Sequence, residues 1–217
     1  MHRLLGSILL ICLCRPLAAG DNQFSVTEFQ GNFYSVINRF SGSNDFIHVR
    51  KLGPNGEMLW EDYRAPIGVD LRASAVATDS SGNLIIAGVR GRGKGALMSV
   101  LRYRPDGQLD WERDFDDNST NLPTTAAADR EGNVYVGGNV LRAGRSVARV
   151  WQYDPAGTVR WNREYGDFGN NYVCQLQVDI RGDVIVGIES YQSSGAAGQY
   201  LLVTAVYDQG GVLVSTR

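Results

Sequence analysis

Cysteine and histidine are scarce in this sequence, with three cysteines and two histidines among 217 residues. Cys12 and Cys14 lie in an N-terminal segment with the features of an export signal, so the predicted mature chain keeps only Cys174 and His48. One thiol cannot form an intramolecular disulfide, and a zinc site of four cysteine or histidine ligands cannot be assembled from two such residues. We therefore expect no disulfide, no metal and no cofactor, and a fold that depends on its core and its backbone hydrogen bonds.

Positive charge and long apolar runs are also lacking. The formal net charge is −2, which argues against nucleic acid as the main partner because phosphate binding needs a positive excess. The N-terminal apolar run, Leu4–Cys14, is too short to span a bilayer, which needs about 20 apolar residues, so we expect no transmembrane segment. Because the run follows basic residues and precedes the small residues Ala18–Gly20, it predicts a signal peptide over 1–20. The remaining domain, 21–217, is then exported to the periplasm or the cell exterior.

What the sequence has instead is a two-part repeat. One part is a line ending in tryptophan, written KLGPNGEMLW at 51–60, YRPDGQLDW at 103–111 and YDPAGTVRW at 153–161. The other part is written ATDSSGNLIIAG at 77–88, AADREGNVYVGG at 127–138 and QVDIRGDVIVGI at 177–188. Weaker copies at 26–37 and 206–215 complete four units, with Ser215 in place of the last tryptophan. Fixed periods of about 50 residues are typical of solenoids and propellers.

Each part of the repeat predicts a β-hairpin, so that each unit has four strands, A to D. Aspartate at the first position and glycine at the fourth suit a type I turn between strands A and B; these residues are Asp79, Asp129, Asp179, Gly82, Gly132 and Gly182. The large rings on strand D are predicted to fill the wedge between neighbouring sheets; they are Trp60, Trp111 and Trp161. Four-stranded sheets around an axis are propeller blades. We therefore predict an all-β propeller with four blades at roughly 23–64, 73–115, 123–165 and 173–217, forming either a closed ring or an open half-ring that makes a homodimer.

The unit, D-x-x-G-N-x-x-x-x-G followed by Y-x-P-x-G-x-x-x-W, resembles the bacterial secreted β-propeller repeat family, SBBP, over almost all of 21–217. In the second unit the matching residues are Asp79, Gly82, Asn83, Gly88, Tyr103, Pro105, Gly107 and Trp111. The unit is more loosely similar to the repeats of quinoprotein-like propellers. The resemblance implies the fold and no particular activity, because propellers carry many unrelated functions. Glu28 and Ser215 depart from the pattern in the first and last units, as terminal repeats often do.

The longer B–C and D–A connections are predicted to gather at the end opposite the tight turns, where a rigid scaffold usually carries its binding residues. The B–C connections are basic and the D–A connections acidic; the candidate residues are Arg90, Arg92, Lys94, Arg142, Arg145, Asp116, Asp117 and Asp167. One interpretation is that these charges simply pair with one another in solvent. The other is a mixed-charge rim for a protein, peptide or glycan. We expect an exported, non-enzymatic binding scaffold that uses this end.

An enzyme is the alternative, a lyase or hydrolase that works through loop carboxylates. The sequence offers little else for catalysis, because His48 and Cys174 are predicted on different blades and different strand types, which does not suit a nucleophile and its base. The stretch GVRGRGKG at 88–95 nearly matches a phosphate-binding loop. Gly95 stands where that loop needs serine or threonine, and a strand is predicted to follow in place of a helix.

Overall fold

A computed structural model of the chain describes residues 24–42, 44–64, 68–166, 169–194 and 197–217. The predicted signal peptide, 1–20, lies outside the described residues. The described chain is almost entirely β-strand, with one short 3-10 turn at Gly93–Gly95. Within it, no helix is long and apolar enough to cross a membrane.

The described strands, β1 to β16, form four antiparallel sheets, each with its strands in sequence order. Sheet 1 contains β1 (Phe24–Phe29), β2 (Asn32–Phe40), β3 (Asp45–Leu52) and β4 (Met58–Arg64). Sheet 2 contains β5 (Leu71–Thr78), β6 (Leu84–Arg90), β7 (Leu97–Tyr103) and β8 (Leu109–Phe115). Sheet 3 contains β9 (Thr120–Ala128), β10 (Val134–Arg142), β11 (Arg145–Tyr153) and β12 (Val159–Tyr165). Sheet 4 contains β13 (Asn170–Val178), β14 (Val184–Ser194), β15 (Ala197–Tyr207) and β16 (Leu213–Thr216).

This arrangement confirms the prediction of an all-β chain built from four four-stranded units. The first strands of sheets 2 to 4 begin slightly before the predicted blade starts, because a bulge lets each strand continue toward the preceding loop. The register shifts fall at Ser74, Thr124 and Cys174. These three residues occupy the same repeat position, so the bulge is itself part of the repeat.

The A–B turns form as the sequence predicts. In sheet 2, Gly82 donates its backbone N–H to the carbonyl oxygen of Asp79 at 3.1 Å, with a φ of +78° that glycine adopts without strain. The Asp79 carboxylate accepts two further backbone N–H groups of the turn, both at 2.9 Å. Asp129 and Asp179 each accept the equivalent bond from the residue four positions further on. The aspartate therefore fixes the turn by replacing part of the backbone hydrogen bonding.

Hydrophobic clusters between consecutive sheets hold the four sheets in a stack. The cluster between sheets 2 and 3, for example, contains Ile85, Val100, Val136 and Trp151, all fully buried. Strand β9 packs across β5, β6 and β7, and β13 packs across β9, β10 and β11. The first strand of each of these sheets therefore lies against the face of the sheet before it. Within the described chain, no comparable packing joins sheet 4 to sheet 1, and no closed ring is found.

The repeated tryptophans link each sheet to the tight turn of the next sheet. Trp60, Trp111 and Trp161 each donate the indole N–H to a backbone carbonyl oxygen in the following C–D turn, at 3.0 Å in every case. The accepting residues are Pro105, Pro155 and Gln209. Each indole N–H, the only polar group of its ring, therefore has a hydrogen-bond acceptor within the protein.

The tyrosine and the glycine of the same repeat line receive the ring. The Trp111 ring stacks on Tyr153, with 6.2 Å between ring centroids, and a Cβ on Gly157 would come within 2.8 Å of the indole. The turn glycines of sheets 2 and 4 face their tryptophans in the same way. We call the contact between a tryptophan and the C–D turn of the next sheet a joint. The repeat line recurs because each copy contributes to two joints. Its turn receives one tryptophan, and its strand D presents the next one.

The joint is incomplete at both ends of the stack. In sheet 4, Ser215 pairs with Val206 at the position that tryptophan occupies elsewhere. In sheet 1, Gly56 has no atom within 4 Å of the place that a Cβ would take, so no ring packs on its turn among the described residues. Sheet 4 therefore lacks the donor of a fourth joint, and sheet 1 holds its receiving turn without a ring.

We predict that Gly157→Ala lowers the free energy of unfolding by about 1–3 kcal/mol more than Gly56→Ala does, which is the usual cost of overpacking. The two glycines have nearly the same φ, +81° and +82°, so the backbone strain is matched. Only the alanine at 157 would meet an indole, that of Trp111. Urea unfolding of both variants measures the difference, and equal losses would show that the ring does not pack on this turn.

Candidate functional site

The B–C and D–A connections lie at one end of the sheets and the tight turns at the other, because every sheet is a simple antiparallel meander. We term these the loop end and the turn end. The connections of the loop end that the structure describes are 41–42, 44, 68–70, 91–96, 116–119, 143–144, 166 and 169. The tryptophan joints occupy the turn end, which leaves the loop end available for other contacts.

At sheet 2, the predicted arginines of the loop end are paired with carboxylates. Arg90, the last residue of β6, forms ion pairs with Glu112 and, at 3.1 Å, with Asp114 on β8. Arg92 donates to Asp70 at 3.0 Å. The Asp70 carboxylate also accepts a backbone N–H from sheet 1 at 2.8 Å. These contacts join the connections of two neighbouring sheets.

At sheet 3, the charges surround a buried guanidinium that sequence analysis missed. The Arg149 side chain is only 5% exposed, and it donates to Asp117 at 2.5 Å and to Glu164 at 3.0 Å. Arg142 donates to Glu164 at 3.1 Å and lies 3.7 Å from Asp117. The signal that could have found this group is an arginine inside the apolar strand VARVWQY at 147–153. A charge at such a position needs an acidic partner.

Asp117 is held in its ionised form by this network. Burial alone would raise the pKa of Asp117, but hydrogen bonds from Arg149 and Asn121 outweigh it and hold the pKa below its usual value. Asn121 donates its side-chain amide at 2.8 Å, and Ser119 donates its backbone N–H at 3.1 Å. The carboxylate therefore acts as an ion-pair partner at neutral pH.

The remaining predicted site residues are not brought into this network. Asp116 accepts the backbone N–H of Asn118 at 2.9 Å, which is a local turn contact. Arg145 is exposed at the start of β11. The backbone of Lys94 belongs to the 3-10 turn, and Asp167 lies outside the described residues.

Exposed aromatic side chains lie near the loop end of the first and last sheets. The large aromatic residues that are exposed in the described chain are Phe40 (64%), Tyr63 (56%), Tyr172 (36%) and Tyr200 (72%). Each lies at or near the end of its strand that faces the B–C and D–A connections. The first two are on sheet 1 and the last two on sheet 4. Sequence reasoning missed them because their exposure depends on which sheet faces are covered, and the repeat does not reveal that.

His48 and Cys174 lie on sheets 1 and 4, as the sequence predicts. The Nε2 atom of His48 is 2.8 Å from the Glu61 carboxylate, and its ring stacks on Tyr63 with 4.1 Å between centroids. In the part of the chain that the structure describes, no group of three or more histidine, cysteine, aspartate or glutamate residues is arranged to hold a metal ion. His48 therefore contacts Glu61 and Tyr63 on its own sheet, and it lies on a different sheet from Cys174.

Comparisons with known proteins identify no family. No protein-family model matches the chain, and no curated protein matches it. Among solved structures, the chain is similar to a mannose phosphorylase from Leishmania mexicana in complex with phosphate ion, at 13% identity and a TM-score of 0.44. The match covers 89% of this chain and 65% of the other, so this chain spans less than two thirds of that protein's length. We draw neither activity nor substrate from this likeness, and membership of the SBBP family stays a prediction.

We predict that Asp117→Asn lowers the free energy of unfolding at pH 7 by about 1.5–3 kcal/mol, the usual worth of a hydrogen bond to a charged group. The folded-state pKa of Asp117 is depressed, so its carboxylate stabilises the fold above its unfolded pKa of about 4. That contribution is lost as the pH falls through the folded-state pKa. Urea unfolding at a series of pH values should therefore show the difference from wild type shrinking below about pH 4.

The matched control is Asp116→Asn, which removes only the contact with the backbone N–H of Asn118. This variant should lose much less stability at pH 7. A loss at Asp117 that does not change with pH would contradict an ion pair with Arg149.

Proposed function

We propose that the chain is an exported, non-enzymatic β-propeller scaffold that binds a protein, peptide or glycan through its loop end. The observation that carries the proposal is the placement of the exposed aromatic side chains at that end; they are Phe40, Tyr63, Tyr172 and Tyr200. Aromatic residues and arginine are enriched in the centres of binding interfaces, where they contribute most of the affinity. Flat rings also pack well on the apolar faces of small ligands.

The paired charges favour binding over catalysis. Arg149 holds Asp117 and Glu164 in place, so these acidic side chains are engaged as ion-pair partners. A carboxyl group that works as a general acid at neutral pH needs a raised pKa, and the pKa of Asp117 is shifted in the opposite direction. A rim held by such pairs is ordered before a ligand arrives, which lowers the entropic cost of binding.

The propeller geometry is supported by the repeat and by the stack of sheets, and the export by the sequence alone. The first strands carry small side chains, such as Ala73, Ala75 and Ala126, where they lie against the neighbouring sheet. Small residues suit strands that converge toward an axis. The apolar segment before the first sheet has the pattern of an export signal, and the repeat line resembles that of the SBBP family.

We further propose that the array is an open one in which two copies pair through sheet 4. Arg50, with Ser35 beside it, lies on the outer face of sheet 1, at the position of leucine, tryptophan and alanine in the other sheets. The outer face of sheet 4 keeps an apolar side chain, Leu202, which is 72% exposed. Placing sheet 4 on Arg50 would bury a guanidinium that donates to the Ser35 hydroxyl at 3.3 Å and lies opposite Glu61 in register. Removing charges from solvent costs several kcal/mol. Two sheet 4 faces related by a two-fold axis would bury Leu202 together with Tyr172 and with Glu189, which lies between them in register.

The loop-end proposal predicts that the double variant Phe40→Ser and Tyr63→Ser, on the sheet that the pairing proposal leaves uncovered, binds its ligand at least about tenfold more weakly than the unmodified chain, as loss of interface anchors usually does. The ligand is first sought on peptide and glycan arrays with the mature chain, and its Kd is then measured by calorimetry. Ile180→Ser, at a turn-end side chain that is 79% exposed, is the control and should keep the wild-type Kd. An absence of any array ligand, or equal losses in both variants, would refute the proposal.

The pairing proposal predicts that the mature chain is a dimer by light scattering and that Leu202→Glu makes it a monomer. Tyr63→Glu, a comparable change on the outer face of sheet 1, should leave the dimer intact. A head-to-tail, eight-bladed assembly would instead be disrupted by both changes, because sheet 1 of each copy would then meet sheet 4 of the other. A wild-type monomer at every concentration would exclude both assemblies.

A further inference from the structure

At the first two joints, a cation of the chain itself lies beside the tryptophan. Lys51 and Arg102 occupy equivalent positions, since they pair in register with Trp60 and Trp111. The Lys51 ammonium donates to the Pro105 carbonyl oxygen at 3.0 Å, and the Arg102 guanidinium donates to that of Pro155 at 2.8 Å. In each joint the same carbonyl oxygen also accepts the indole N–H. A cation and an indole therefore share one turn carbonyl.

At the third joint the equivalent residue is Gln152, which is shorter and neutral. Gln152 pairs in register with Trp161 and donates its amide to the hydroxyl of Tyr135 at 2.8 Å. Beside it lies a cavity of about 750 Å³ between sheet 3 and the C–D turn of sheet 4. This volume is within the usual range for small-molecule sites. Of its lining residues the argument uses Asp129, Glu131, Tyr135, Gln152, Trp161 and Gln209.

The walls of this cavity carry the equivalents of two groups that hold the cations at the other joints. A third group, Asp110, which lies 3.6 Å from the Arg102 guanidinium, is replaced at the same position by Arg160. Asp129 is the equivalent of Asp79, whose carboxylate accepts the Arg102 guanidinium at 2.8 Å. Tyr135 is the equivalent of Tyr34, whose ring lies 5.2 Å from the Lys51 ammonium. The third joint thus combines the carboxylate of one joint with the aromatic ring of the other.

The Asp129 carboxylate is satisfied by neutral donors only. Its oxygens accept the backbone N–H and side-chain amide of Asn133, at 2.8 and 2.7 Å, and the hydroxyl of Tyr135 at 3.0 Å. Burial and the neighbouring Asp129 charge raise the pKa of Tyr135, so its hydroxyl stays a donor. Within the described residues, neither Asp129 nor Glu131 forms an ion pair with an arginine or a lysine. A carboxylate only 9% exposed therefore borders an open cavity without a cationic partner.

The two arginines on the cavity wall are engaged elsewhere. Arg160 lies 3.4 Å from the Asp154 carboxylate. Arg163 donates to the carbonyl oxygens of Gly211 and Asn162, both at 2.8 Å, and its guanidinium lies over the Trp161 ring. Arg113 makes the equivalent contact with Trp111 at the second joint, where the Arg102 cation is nonetheless present. A further cation on the Asp129 side is therefore compatible with the arginine over the indole.

We propose that this cavity binds an organic cation, a guanidinium or primary ammonium group, beside the place that Arg102 and Lys51 fill at the other joints. The Tyr135 hydroxyl donates to Asp129 Oδ2 where the Arg102 guanidinium donates to Asp79 Oδ2, so the bound cation would share that oxygen with the hydroxyl or displace it. The group would donate to the Asp129 carboxylate and to the Gln209 carbonyl oxygen, and its alkyl stem would lie along Tyr135 and Trp161. Charge-assisted hydrogen bonds and cation–π contact are the interactions that such a group makes best. The site lies at the turn end, so it is separate from the loop-end surface.

The test uses n-propylguanidinium and n-butylammonium, the side chains of arginine and lysine without a backbone, titrated into the mature chain and followed by calorimetry and thermal unfolding. We expect binding of one equivalent of at least one cation, with a rise in melting temperature. Gln152→Arg should weaken binding at least about tenfold, the effect of losing a charge-assisted hydrogen bond. It should also melt above wild type without ligand, because it recreates the second joint.

The matched variant is Arg102→Gln, which opens the second joint. It should melt below wild type, and n-propylguanidinium should restore part of the loss while binding a second equivalent. A wild-type chain that binds neither cation, or a Gln152→Arg variant that binds as well as wild type, would overturn the proposal. Binding of a blocked tripeptide with a central arginine distinguishes the two possible ligands, an arginine side chain of another protein and a free small-molecule cation. Tighter binding of the peptide assigns the site to a protein ligand, and binding of the small cations alone assigns it to a free metabolite.

Discussion

The contact between an indole and the turn of the next sheet is the constraint on which the rest of the structure depends. A sheet packed on another sheet through apolar side chains alone can slide, because hydrophobic contact is not directional. The hydrogen bond from Trp111 to the Pro155 carbonyl oxygen, 3.0 Å long, fixes one point of that interface. The glycine at 157 lets the ring approach the backbone to a distance that a side chain would prevent. Repetition of this contact gives every sheet the same relation to its neighbour.

This constraint divides the molecule into two ends with different freedom. At the turn end, the lengths of the turns and the tryptophan, tyrosine and glycine are fixed by the joint. At the loop end, a contact between sheets recurs with altered chemistry, since Asp70 and Asn170 accept equivalent backbone N–H groups through a carboxylate and an amide oxygen. The connections themselves differ in length, charge and pairing from sheet to sheet. Even at the turn end one position is variable: the side chain next to the indole is Lys51, Arg102 or Gln152. Variation there changes the chemistry of a joint without removing the joint.

The sequence predicted those features that are set by local hydrogen bonding and by the repeat. The turn at Asp79 could be read directly, because the aspartate bonds to backbone groups within four residues of itself. The existence of four sheets followed from the recurring hairpins. The receiving half of the tryptophan joint was not predicted, although the glycine and the tyrosine were in the motif, because the ring and its turn are separated by more than 40 residues.

Side-chain pairing at the loop end could not be predicted for a related reason. Asp117 was identified from its loop, but its partner Arg149 comes from the middle of a strand in an otherwise apolar stretch. Which charges in a mixed-charge set meet depends on strand register and on the packing of neighbouring sheets. The cavity at the third joint is also invisible in the sequence taken position by position. It emerges only when Gln152 is compared with the residues that fill the same place at the other joints.

Closure of the stack between sheets 4 and 1 would require a tryptophan donor, a receiving glycine turn and two apolar faces. Sheet 1 has the receiving turn, at Gly56, but its outer face carries Arg50. Sheet 4 has an apolar outer side chain in Leu202, but Ser215 replaces the donor. Sheet 1 thus lacks an apolar outer face, and sheet 4 lacks the tryptophan, that closure would need. The residues responsible are far apart in the sequence. A polar outer face is what a terminal repeat needs to stay soluble, and it is costly in a joint. The polar residues of sheet 1 at these positions are those of a terminal repeat, while on sheet 4 the carboxylate of Glu189 lies beside Leu202 in register.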